Sequence, residues 1–284
     1  MKITIAGIRG FIGSHLAARL VKDGHTTFET GRGQYVRDEM SGSDAFIYAG
    51  GPSKLVEHLT LDDTGRELLS WAYLLECAHA AKVGRVILLS SHAVYGAQKA
   101  QPITEDAPLR PRSLYGALQA SREHIGMALH HSKGLPFTSL RLGTVYGPGM
   151  RADALVRVFL DAALNGGEIR LERGGEQIRP FVHIDDLTNL ITIALHNADF
   201  VAGQAFNVAM DHWFVKNLAT AVSDIAEAFG RKRPEILNIP ARIDEVGNIV
   251  LNVNKAKTLL EWMPTIKLET GILPIAQAMM GRQT

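Results

Sequence analysis

The sequence predicts an α/β fold, a doubly wound parallel β-sheet with helices on both faces, followed by a smaller C-terminal lobe. Three observations carry that expectation. Short apolar runs alternate with longer segments of helical period, the pattern of strand–helix–strand units. An N-terminal strand-like run leads directly into a glycine-rich turn and an amphipathic stretch. After Tyr146-Gly147-Pro148-Gly149 the regularity loosens into short pieces separated by Asn165-Gly166-Gly167, Gly174-Gly175 and Arg233-Pro234.

The elements follow in order. Strands are expected at 3–6, 26–30, 45–48, 85–89, 137–142 and 205–208, several of them apolar throughout, as strands covered on both faces must be. Helices are expected at 11–22, 65–82 and 113–133, with Gly24, Gly84 and Gly134 as their C-terminal caps. Residues 1–146 form the first domain, residues 147–284 are mainly the substrate-binding lobe, and segments near 180–210 return to the first domain.

Composition narrows the function classes. Hydrophobic residues at 46% and charged residues at 21% describe a globular chain rather than a disordered or collagenous one. A formal charge of +1, from 30 Lys+Arg against 29 Asp+Glu, offers no global field for nucleic acid or an anionic membrane, so an anionic ligand must be held locally. One cysteine, Cys77, allows neither an intramolecular disulfide nor a thiolate cluster, which suits a reducing, cytoplasmic setting. No run approaches the ~18 apolar residues of a membrane span, so a soluble protein is expected. No histidine–carboxylate cluster has metal-ligand spacing, so no metal is expected, and Asp185-Asp186 reads as the cap of a helix through Leu187–Leu195.

The strongest motif is Gly7-Ile8-Arg9-Gly10-Phe11-Ile12-Gly13 between the first strand and the first helix. Missing side chains there let the chain turn sharply, let main-chain N–H groups approach a pyrophosphate, and let the helix pack closely on the strand. Dinucleotide binding is the expectation.

With this turn, Ser90-Ser91-His92-Ala93-Val94-Tyr95-Gly96, Tyr115-Gly116, residues 141–149, Arg179-Pro180-Phe181-Val182-His183-Ile184-Asp185-Asp186 and Ala205-Phe206-Asn207-Val208, the chain resembles the extended short-chain dehydrogenases/reductases over nearly its whole length. These are Rossmann enzymes that include nucleotide-sugar epimerases, dehydratases and ketoreductases. The resemblance implies cofactor contacts at Gly7, Arg9, Gly10, Phe11, Ile12, Gly13, Arg32, Ala49, Gly50, Tyr115 and Gln119. The family position that selects the coenzyme is Gly31, followed by Arg32, which favours NADP; Glu29, two residues earlier, keeps NAD as the alternative. Residues 33–43 are much shorter than the family counterpart, which holds a helix and another strand.

The resemblance also implies catalysis by Ser91, which polarises the substrate oxygen, and Tyr115, which moves the proton. The lysine that accompanies this tyrosine is replaced by Gln119. A cation at ~6 Å in an effective dielectric of ~20 is worth about 2.8 kcal/mol to a phenolate. Its loss hurts reduction of a ketone least, because reduction needs only the neutral phenol as acid. An NADPH-dependent ketoreductase is therefore the leading expectation, with an NAD-dependent nucleotide-sugar epimerase and a catalytically impaired dinucleotide-binding sensor or scaffold as alternatives. Arg122 shares the helical stripe of Tyr115 and Gln119 and is a candidate to replace some of the missing charge. His92 and Ala93 stand where the dehydratases carry Asp and Glu, which argues against dehydration; His92 itself is a candidate to titrate near neutrality, although a hydrogen-bonded loop histidine is the commoner case. Substrate contacts are expected at Ser91, His92, Thr144 and Arg179, with Arg179 presenting a planar fork to a nucleotide diphosphate and Arg242 as the other candidate cation. Leu68, Leu69, Trp71, Leu74 and Leu75 on one helix, and Leu114, Leu118, Ile125, Met127 and Leu129 on another, exceed one buried face and suggest a homodimer.

Overall fold

The structure is a computed structural model that describes residues 1–31, 40–51, 58–243 and 245–281. β1 (Lys2–Ala6), β2 (Thr26–Thr30), β3 (Ala45–Tyr48), β4 (Val86–Ser91), β5 (Phe137–Leu142) and β9 (Gln204–Val208) form one sheet in the order β2-β1-β3-β4-β5-β9, and every pairing in it is parallel. Parallel strands need crossovers, and three of them are α1 (Phe11–Lys22), α2 (Leu61–Ala80) and α3 (Leu114–Lys133). Each face of the sheet has its own apolar layer. Leu16 and Leu20 of α1 pack there with Leu187, Leu190 and Ile191 of α5 (Ile184–His196). On the other face Trp71, Leu74 and Leu75 of α2 meet Phe46, Tyr48 and Phe137. β3, β4 and β5 are buried at every residue; β3 and the first four residues of β4 read as continuous apolar runs, whereas β5 also buries Thr138, Ser139 and Arg141. β2 pairs only with β1 among the described residues and is largely exposed.

Strand order reverses at β1, with β2 on one side and β3 on the other, so a crevice opens beyond the carboxyl ends of β1 and β3. The glycine turn lies in that crevice.

A second apolar cluster gathers α4 (Leu155–Asn165), α7 (Val215–Ala228) and α9 (Leu268–Met280) on one three-stranded sheet, β10 (Asp211–Phe214), β8 (Ile178–His183) and β6 (Thr144–Tyr146), and on the pair β11 (Glu235–Ile239) and β7 (Glu168–Glu172). α6 (Ala198–Val201) and α8 (Asn254–Leu259) are single turns.

Several boundaries differ from the sequence reading for identifiable reasons. α2 starts at Leu61 rather than 65, because Thr60 and Asp63 form a reciprocal capping box. It ends at Ala80, and the left-handed residue after it is Lys82 (φ 53°), not Gly84. β4 runs on to Ser91. α5 begins at Ile184, capped by the His183 side chain, while Asp186 accepts from the Thr265 and Ile266 N–H groups and ties down the C-terminal segment. Trp71, Leu74, Leu75 and Leu118 are spent inside the subunit, whereas Leu69 is 74% exposed. No helix among the described residues is long and apolar enough to cross a membrane.

Candidate functional site

The turn after β1 is built by close approach. Gly7 adopts φ +81°, a Cβ there would fall 2.8 Å from the Gly50 backbone, and a Cβ on Gly13 would fall 2.1 Å from the Gly7 carbonyl oxygen. The Gly10 N–H donates to that same carbonyl at 2.9 Å. Gly10 caps α1 without a side-chain hydrogen bond, and the first helical turn carries no acid. The leading N–H groups of α1 and the positive end of its dipole therefore face the crevice, a cradle that fits a dinucleotide pyrophosphate. Phe11 and Ile12 pack on the sheet core beside Ala49, whose N–H donates to Ala6. Arg9 is exposed and ion-paired at 2.6 Å with Glu29 on β2, so an acid does reach the turn although Gly31 occupies the family position. Arg32 lies outside the described residues.

Helix α3, which carries Tyr115, starts against the short 3₁₀ turn His92–Val94 that follows Ser91: a Cβ on Gly116 would fall 2.6 Å from the Ala93 carbonyl. Ser91 Oγ accepts from the Ala93 N–H at 3.1 Å, which caps that turn and leaves the hydroxyl proton for another acceptor. Ser90, on the opposite face, donates to Glu123, whose carboxylate takes Arg141 in a bidentate pair. Arg141 also donates to Tyr95, which donates to Asn207, so these residues are structural.

Tyr115, Gln119 and Arg122 lie on one stripe of α3. Gln119 Nε2 donates to Tyr115 Oη at 3.2 Å, and Arg122 Nη1 donates to Gln119 Oε1 at 3.1 Å. Arg122 is fully buried; its other arm donates to Glu67 Oε2 of α2 at 2.6 Å and to Tyr48 Oη of β3 at 2.9 Å. Tyr48 and Glu67 were not singled out in the sequence. A signal existed, because Glu67 sits four residues before Trp71 on an otherwise apolar stripe, where a carboxylate needs a partner.

His92 takes the hydrogen-bonded loop role rather than that of a group titrating near neutrality. Burial pushes its imidazole down to about 4, the Leu142 carbonyl hydrogen bond at 3.0 Å opposes that, and Arg179 adds to the lowering. It is neutral at pH 7 with Nδ1 protonated, and does not titrate near neutrality. Thr144 is half-buried at the start of β6, opposite Phe181. Arg179 is not an open fork: it donates to the Gly247 and Ile178 carbonyls and pairs with Glu245 at 2.5 Å. Burial pushes the Glu245 carboxyl up, but the Arg179 hydrogen bond and charge outweigh it, and the net position is below the usual carboxylate range. Arg242 pairs with Glu172 at 2.8 Å. Trp213, across β10 from Arg179, lines a concavity of about 660 Å³ with His212, Phe214 and Asn217. No group of three or more potential metal ligands occurs among the described residues.

The chain is 27% identical to the probable UDP-glucuronate 4-epimerase of Rhizobium meliloti, covering 96% of this chain and 95% of that protein, and 26% identical to the uncharacterized UDP-glucose epimerase YtcB of Bacillus subtilis, covering 96% of each. The solved UDP-glucuronic acid 4-epimerase of Bacillus cereus, in complex with UDP-glucuronic acid and NAD, superposes with a TM-score of 0.90 at 21% identity over 98% of this chain and 100% of that one. Residues 3–209 match the NAD dependent epimerase/dehydratase family, and the chain belongs to it.

Proposed function

We propose that the protein is an NAD-dependent epimerase acting on a nucleotide-linked sugar, in which a secondary alcohol is oxidised and the resulting ketone reduced from its other face. The observation that carries this reading is the amide of Gln119 donating to Tyr115 Oη. A donor on that oxygen stabilises the phenolate, the form needed to take the alcohol proton. The ketoreductase expectation rested on the loss of that stabilisation; the amide supplies part of it, and the relatives named above are called epimerases.

Nicotinamide, when bound, accepts and returns the hydride. Tyr115 takes the proton from the substrate hydroxyl as the ketone forms and gives it back on reduction. Ser91 donates its free proton to the same oxygen and stabilises charge there. Gly7, Gly10, Gly13, Phe11 and Ile12 hold the pyrophosphate through main-chain N–H groups and packing, with Gly50 and Ala49 closing the far wall. NAD is favoured over NADP because the Glu29 carboxylate stands at the turn through Arg9, where a 2′-phosphate would meet it, and because the Bacillus cereus enzyme holds NAD. Arg179 and Trp213 offer a cation and an aromatic face to a nucleotide diphosphate once Glu245 releases the guanidinium. A homodimer through α2 and α3 is supported by the exposed Leu61 and Leu69 on α2.

The test is incubation with NAD and UDP-glucose or UDP-glucuronic acid, followed by NMR of the sugar. Conversion to the C4 epimer, abolished by Tyr115→Phe, is expected. Saturable NAD binding without Tyr115-dependent conversion identifies a binding module instead, and NADPH consumption with a keto-sugar identifies a reductase.

A further inference from the structure

We propose that Arg122 is a positioning residue for proton transfer, acting through Gln119 to fix the direction of the hydrogen bond on Tyr115. This rests on the reading of Tyr115 as the proton carrier. The argument begins with donor counting. A guanidinium has five N–H donors and no acceptor, so the Gln119 atom facing Arg122 Nη1 is the amide oxygen. The NH₂ group is then the only part of the amide left for Tyr115, and the phenol oxygen accepts. The phenol's own hydrogen is thereby directed away from Gln119 and kept for the substrate oxygen.

Without Arg122 the amide is free to turn over. Its oxygen would then accept from the phenol, which favours the protonated form and points the proton at Gln119; both effects oppose catalysis. Arg122 itself is held from three sides. Glu67 and Tyr48 take one arm, the Tyr48 ring lies 4.7 Å from the guanidinium carbon, and Trp71 Nε1 donates to the Arg122 main-chain carbonyl at 3.1 Å. Because Glu67 offsets the guanidinium charge, the relay transmits an oriented amide dipole rather than a full positive charge. In the other charged pair against α3 the two charges offset each other, Glu123 taking Arg141 bidentately, and His92 on the adjoining 3₁₀ turn is neutral at pH 7.

The experiment compares the wild type with E67M/R122M, which removes both buried charges together, with Q119L, and with the triple variant. Each is paired with its own Tyr115→Phe version, so that subtracting their absorbance titrations isolates one of the six tyrosines. In E67M/R122M the Tyr115 tyrosinate transition is expected about 1 pH unit higher than in the wild type. kcat with UDP-glucose as probe is expected to fall about ten-fold while KM stays within about two-fold. In the Q119L background the same pair of changes is expected to add nothing, because the relay is already cut. If E67M/R122M fails to fold, Arg122→Lys carries the comparison: it keeps Glu67 paired but lacks the second arm for Gln119, and the transition moves the same way. An unmoved transition, or losses that add in the triple variant, overturns the relay alone. Full turnover in Tyr115→Phe overturns the reading of Tyr115 and the relay with it.

Discussion

Gly13→Ala probes the turn at its tightest point. The added methyl would sit 2.1 Å from the Gly7 carbonyl oxygen and 2.8 Å from both the Gly7 carbonyl carbon and the Ile8 Cα. Ordinary contact needs roughly 1 Å more. α1 cannot slide outward freely, since Leu16 and Leu20 are fully buried in the sheet core. Overpacking of this kind costs about 1–3 kcal/mol, and alanine's better helix propensity returns about 1 kcal/mol, so the apo protein loses about 0–2 kcal/mol. Binding suffers more. Displacing the first N–H groups of α1 from a pyrophosphate forfeits one or two charge-assisted hydrogen bonds, about 2–4 kcal/mol, or a roughly thirty-fold to thousand-fold weaker Kd for NAD. Gly10→Ala probes the same cradle from the ligand side: its methyl meets the Gly7 carbonyl oxygen at 3.1 Å, a movement of only tenths of an ångström, but it stands at the N-cap where a pyrophosphate must approach, so NAD binding should weaken with little loss of stability. Calorimetric titration with NAD, alongside thermal unfolding, measures both variants. A folded Gly13→Ala or Gly10→Ala protein that binds NAD as the wild type does would refute the cradle.

Three other outcomes are expected. The unfolded chain protonates His92 near 6.5 while the folded chain resists until about 4, so the unfolded state binds more protons in that window and stability falls as pH drops through it. The His92 share is about 3 kcal/mol, and His92→Asn should flatten part of the urea-measured slope of stability against pH; an unchanged slope would contradict the burial argument. Glu245→Ala should free Arg179 and tighten binding of UDP-glucose by about ten-fold at low salt, measured by calorimetry, whereas weaker binding would mean that Glu245 organises the site. Asp186→Asn should cost about 1–2 kcal/mol and speed hydrogen exchange at the Thr265 and Ile266 amides.

Much of the fold was legible because local and tertiary demands agree. The buried strand β3 and the first four residues of β4 have no solvent face, so they appear as apolar runs, and the turn can be read because a Cβ at Gly7 or Gly13 has no room. The start of α2 was misplaced because an exposed capping box, Thr60 with Asp63, outweighs the apolar periodicity that begins later. Within the site, Ser91, Tyr115 and Gln119 could be placed by spacing along single elements. The partners of Arg122 and Arg179 could not. Glu67 is 55 residues from Arg122 in sequence and Glu245 is 66 from Arg179, and each pairing exists only after separate elements have docked. His92 shows the same limit, because its titration is set first by burial in the folded protein, then by Leu142 and Arg179, rather than by its neighbours in the chain.

The order in which the central sheet is completed has a consequence for biosynthesis. β5 gains its outer neighbour β9 only after some sixty intervening residues, α4, β7 and β8 among them, have been made. Trp262, fully buried on the α1 face with its indole N–H on the Asp186 carbonyl, arrives later still. A nascent chain leaving the ribosome therefore carries an unpaired parallel edge and an unfilled apolar hollow until nearly the last stretch is translated. Premature termination before residue 204 is accordingly expected to yield polypeptide that chaperones retain or that aggregates, even though every residue of the pyrophosphate cradle is already present.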